Sequence, residues 1–174
     1  MQVYYIHPVN PQLRLISQAV VHLNADEPLI YPTALGYCVA LPLKSAKRQR
    51  LQAITAHQDP YLLCQDISQA SQWVSIDNNA HRTLKTHAGE PTTAFVLPSG
   101  KTLNKALNVS QIPVLFASSA IEQALLSAFN APILTLPLAE AAPSYEIENL
   151  AFIEGFINIG DIAYQTATIV DCAE

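Results

Sequence analysis

Four cations fall within seven residues of this chain: Lys44, Lys47, Arg48 and Arg50. Grouped side chains of this type hold phosphate or carboxylate oxygens through charge-assisted hydrogen bonds. They supply four of the nine Lys and Arg in a 174-residue chain whose formal net charge is −5. A protein that neutralises many phosphates displays a basic face. Here any contact with RNA would be local, weak and blind to sequence. The competing reading of the cluster is a solvated helix face.

The other reactive residue types form no recognisable catalytic or metal-binding pattern. His7, His22, His57, His81 and His87 are scattered, and His81 and His87 fall on different faces of the helix expected there. Cys38, Cys64 and Cys172 are odd in number and lack the spacing of a zinc or disulfide framework, so they read as small apolar strand residues. The chain has no GxGxxG, phosphate-loop, GxSxG or HExxH motif. Trp73 reads as a packing residue. No metal is expected, and no catalytic residue emerges from spacing alone.

The elements that must carry these groups are legible from periodicity. Asn10-Pro11 predicts a helix start, and Leu13, Ile16, Val20 and Leu23 recur at helical period. Residues 29–32 and 37–41 read as strands joined by a turn ending at Gly36. Ser45 is expected to cap a second helix running to about Thr55, with Leu51 and Ile54 inward. Residues 61–64 read as a buried strand, and Asp77 opens a helix that stops at Ala88-Gly89. Strands follow at 92–97 and at 112–116, where Pro113 suggests an edge or a strand start. Ser118 or Ser119 caps a helix striped by Ile121, Leu125 and Leu126. Residues 132–138, 152–157 and 168–170 complete the strands. Helices and strands mix without a regular βαβ repeat, which predicts a mixed α/β (α+β) domain.

Half of the residues are hydrophobic and 13% are charged, so the chain can bury a substantial core. The expected organisation is a single domain over residues 1–174. No apolar run reaches the length of a membrane span, and no secretory leader is evident, so the expected location is cytoplasmic.

The order Tyr5-Ile-His-Pro, Asn10-Pro-Gln, Tyr31-Pro-Thr33, Tyr61-Leu-Leu-Cys-Gln-Asp66, Ala124-Leu-Leu and Ala167-Thr-Ile-Val-Asp171 resembles the YrdC/YciO family, leaning toward the YciO branch. The resemblance implies a twisted mixed sheet with helices packed on it and a concave nucleotide pocket. Active members condense threonine, bicarbonate and ATP into threonylcarbamoyl-adenylate for tRNA modification. Others bind double-stranded RNA or nucleotides.

Carried onto this chain, the resemblance makes Thr33, Tyr37, Thr92, Thr93, Ser118 and Thr135 the ligand-binding residues, with Lys44, Lys47, Arg48 and Arg50 as phosphate contacts. It also exposes departures. Ala34 stands where the family places Asp, Leu115 where it places Arg, and Leu136 and Pro137 where it places hydroxyl or amide residues. Glu90 sits in a segment that should welcome anions. By the same comparison, the chain ends at Glu174 before the family's final strand and any C-terminal extension. The expectation is a degenerate family member that binds a nucleotide, small metabolite or protein partner and uses no cofactor, ATP being disfavoured. The alternatives are a double-stranded RNA or tRNA binder and an active threonylcarbamoyl-adenylate synthase.

Overall fold

Alternating apolar residues build a nine-stranded mixed sheet with its two faces filled by different sets of side chains. The computed structural model describes residues 1–56 and 58–173; His57 and Glu174, both named above, lie outside the described residues. The strands are β1 (Gln2–Tyr5), β2 (Leu29–Thr33), β3 (Gly36–Leu41), β4 (Tyr61–Cys64), β5 (Thr93–Pro98), β6 (Gln111–Phe116), β7 (Ile133–Pro137), β8 (Gly155–Asn158) and β9 (Thr168–Asp171). The helices are α1 (Leu13–Asn24), α2 (Ile67–Ala70), α3 (Asn78–Thr86), α4 (Lys101–Leu107), α5 (Ala120–Phe129) and α6 (Ser144–Ile147). The sheet order is β1-β8-β2-β3-β7-β4-β6-β5-β9.

Period-two alternation sorts the core. Tyr31, Cys38, Tyr61, Leu63, Ala94 and Leu115 face α1 and α5. Val39, Leu62, Phe95, Val114 and Leu134 face the opposite way, toward Leu84 of α3, Leu103 of α4 and Ile147 of α6. The chain is therefore one mixed α/β domain. No helix among the described residues is long and apolar enough to cross a membrane.

Several local expectations are corrected. Asn10 does not cap α1; that helix starts at Leu13 after Gln12. The Asn10 and Val9 amides instead donate to His7 Nδ1, and Gln12 Oε1 accepts from the His7 amide, so the segment is tied into a turn. The helix expected from Ser45 is only a 3-10 turn at Gln49–Leu51. Ser45 Oγ accepts from the Lys47 amide at 3.0 Å, closing a local hydroxyl turn that competes with a helix.

Strand β6 is not an edge strand. It pairs with β5 on one side and β4 on the other, and Pro113 is accommodated because the β4 ladder begins one residue later, at Leu62 opposite Val114. Two caps are as expected: Asp77 Oδ1 accepts from the Ala80 amide, and Ser119 with Glu122 forms a reciprocal capping box on α5. Elements β1, α2, α4 and α6 have no counterpart in the sequence-based reading; each is seven residues or shorter.

Candidate functional site

The β2–β3 hairpin and the segment that returns over it frame a cleft. In the turn, Thr33 Oγ1 donates to the Gly36 carbonyl at 2.8 Å and accepts from the Leu35 amide at 3.0 Å. Its hydroxyl is consumed in closing the hairpin. Gly36 has φ +112, a conformation that favours glycine, and an added Cβ would stand 2.4 Å from Tyr164 Cδ1.

Residues 159–167 leave β8 near one end of the sheet and reach β9 at the other, forming a strap. The Tyr37 hydroxyl donates to the Gly160 carbonyl and accepts from the Ile159 amide. Further along, the Gln165 amide donates to the Leu35 carbonyl at 3.1 Å, and Tyr164 Oη donates to the Ala142 carbonyl at 3.0 Å. Thr168 then joins Thr92 as β9 begins. Tyrosine hydroxyls and a backbone bond thus fasten the strap at several points.

Between strap and sheet lies a hollow of about 260 Å³ walled by Tyr37, Tyr61, Tyr164, Gln58 and Gln165, with Leu35 and Pro137 as apolar surface. It continues through Ala56 and Gln58 into a wider groove of about 900 Å³ that carries Arg48 and Asp59. No Lys or Arg among the described residues lines the inner hollow. Burial pushes the Tyr37 hydroxyl up to about 12 and raises Tyr61 and Tyr164, so all three are neutral donors near pH 7. Tyr61 receives only a long 3.5 Å approach from Gln58 Nε2, which leaves its proton available among the described residues.

The residues named from sequence are distributed over several places. Tyr37 walls the inner hollow, and Arg48 lines the outer groove. Thr135 is fully buried and bonded to Tyr31 Oη at 2.6 Å. Thr93 and Ser118 line a different hollow at the far end of β4; Thr92, on the same strand entry, is half-buried. Arg50 is paired with Glu154 at 2.7 Å and stands over the Phe152 ring. Lys47 is half-buried in the Ser45 turn. Lys44 shares a third hollow with Lys101 and Lys105. The four clustered cations therefore do not converge.

The apolar departures are divided as well: Leu115 is buried facing α1 and α5, Leu136 belongs to the opposite face and lines the outer groove, and Pro137 walls the inner hollow. Leu35, Cys38, Tyr61, Ala94 and Leu115 belong to one buried cluster, with Ala167 of the strap packed against it. Gln58, Tyr164 and Gln165 were not singled out from sequence, and Tyr61 was read as the start of a buried strand and of a family block, not as a site residue. Tyr164 offered a signal as the single aromatic residue within 159–167.

A mixed sheet with a strap-covered cleft at the Tyr-Pro-Thr hairpin defines a YrdC-like α/β domain. No family model matches the chain. An uncharacterised protein of Haemophilus influenzae is 31% identical over 189 residues, covering 99% of this chain and 91% of that protein. YciO of Escherichia coli is 33% identical over 144 residues, covering 79% of this chain and 69% of that protein. The crystal structure of E. coli YciO superposes with a TM-score of 0.85 at 27% identity over 99% of this chain and 91% of that one. A P. abyssi Sua5 complexed with L-threonine shares the fold, with a TM-score of 0.82 at 13% identity over 98% of this chain and 54% of that one. The chain belongs to the YrdC/YciO family.

Proposed function

We propose that this chain is a non-catalytic binding domain whose cleft takes a small, neutral, planar ligand of nucleoside size, acting in the cytoplasm. The observation that carries the reading is the composition of the inner hollow: three neutral tyrosines and two glutamine amides, without a Lys or Arg among the described residues. Aromatic walls favour a flat ring, and amides with a free phenolic proton suit the edges of a heterocycle. Its volume, about 260 Å³, lies just under the usual small-molecule range of roughly 300–1,000 Å³ and suits a nucleoside, and the wider groove lies beyond it.

This residue set disfavours ATP. Among the described residues of the outer groove, the single guanidinium of Arg48 is offset by the Asp59 carboxylate, so these residues offer a polyphosphate no net positive charge. Each bond to a charged group contributes roughly 1.5–3 kcal/mol, and two or three missing partners cost on the order of 5 kcal/mol. That corresponds to a few thousand-fold in affinity. The test is pyrophosphate release from ATP with threonine and bicarbonate. Release at the no-protein background is the expected result, and threonine-dependent release above it would replace this reading with the synthase.

A second reading, RNA contact, is supported by one observation, the grouping of Lys44 with Lys101 and Lys105. It entails weak, steeply salt-dependent binding that is lost when these three lysines are replaced by alanine.

A further inference from the structure

At the far end of β4 from Tyr61 there is a second, separate hollow of about 680 Å³. It lies beyond the carboxyl ends of the parallel pair β4 and β6, a place where α/β sheets commonly leave a crevice for ligands. Leu84 and Phe95, each 3% exposed, form its buried floor. Phe116 is half-buried beside them, with its ring centroid 6.0 Å from that of Phe95. None of these rings is used by the strap cleft.

The rim is acidic. Glu90 Oε2 accepts from Thr93 Oγ1 at 2.9 Å and lies 2.8 Å from His87 Nδ1. These bonds, His87 first, hold the Glu90 carboxyl below the usual carboxylate range, so it is an anion at neutral pH. Glu90 Oε1 has no hydrogen-bond partner among the described residues, and the arrangement fixes one carboxylate oxygen while leaving the other for a guest. Asp66 stands on the same rim with Oδ1 committed to the Gln69 amide, and no Lys or Arg among the described residues lines the hollow.

We propose that this hollow is a binding site for an organic cation that carries a flat ring. The ring would lie against Phe95 and Phe116, and the ammonium would meet Glu90 and Asp66. Aromatic walls contribute both apolar contact and attraction for the cation. The volume falls within the usual range for small-molecule pockets, about 300–1,000 Å³.

The probes are tryptamine, indole and indole-3-acetate, titrated against the full chain by NMR and calorimetry. Tryptamine is expected to bind most tightly and indole-3-acetate least, with shifts centred on His87, Phe95 and Phe116. Glu90→Gln should narrow the tryptamine advantage over indole by roughly two- to fivefold, the scale of an exposed ion pair. Ala88→Trp, on the exposed rim, should block all three probes while leaving the melting temperature unchanged. Equal binding of amine and carboxylate would overturn the proposal. So would no saturable shift at millimolar concentration, or shifts centred on Tyr61 and Tyr164. Because adenosine binding in the strap cleft is read at Tyr61 and Tyr164, failure at one site is distinguishable from failure at the other.

Discussion

Replacing Gly36 by alanine probes how the hairpin and strap form the cleft. The residue sits at φ +112, and an added Cβ would lie 2.4, 2.8 and 2.9 Å from three atoms of the Tyr164 ring. Holding a non-glycine residue in a sparsely populated conformation costs about 1–3 kcal/mol. The ring must also swing away, giving up the Tyr164 hydroxyl bond to the Ala142 carbonyl, a further loss of about 0.5–1.5 kcal/mol. The sum is a destabilisation of about 1.5–4.5 kcal/mol. Urea unfolding with an unchanged m-value would read it directly.

The double-mutant cycle is the sharper assay. In a Tyr164→Ala background the obstruction is gone, so Gly36→Ala should cost only its backbone strain, and the two changes should couple by about 0.5–1.5 kcal/mol. Additive effects, or a Gly36→Ala cost below about 0.5 kcal/mol, would refute a strap seated on this glycine.

Two further outcomes follow from buried ionisable groups. Burial raises the Glu122 carboxyl above its ordinary range despite capping bonds from Ser119 and Ser118. The native state then holds its proton more tightly than the unfolded chain, so this group makes stability fall as pH rises from the ordinary carboxylate range through the raised native value. Glu122→Gln should remove that component of the slope in urea titrations between pH 4 and 7, and an unchanged slope would contradict it. Among the thiols, burial pushes Cys38 up to about 12 and raises Cys64 too, whereas Cys172 is only half-buried. A disulfide reagent at pH 8 should label Cys172 in the folded protein and reach Cys38 and Cys64 only on unfolding; rapid labelling of all three would be the contrary result.

Much of the sheet was legible because its strands are short apolar runs punctuated by Pro and Gly, and because Ser119 and Asp77 cap where their side chains dictate. The 45–55 segment was misread since its apolar spacing suits a helix, but the Ser45 turn and the Arg50–Glu154 pair, more than a hundred residues apart, draw it elsewhere. Short elements such as α2 and β1 carry too few residues for a period to show. At the site, the sequence located the hairpin and the apolar substitutions, yet could not show that Thr33 and Tyr37 spend their hydroxyls on backbone. Nor could it bring Tyr164 and Gln165 across the sheet to Gly36, a contact set by the return path of the strap.

Calorimetric titration with adenosine, AMP and ATP at fixed ionic strength probes the cleft for a neutral planar ligand. Adenosine is expected to bind, each added phosphate to leave affinity unchanged or weaken it, and adenosine binding to be lost in Tyr61→Ala. Affinity that climbs from adenosine to ATP would contradict that expectation.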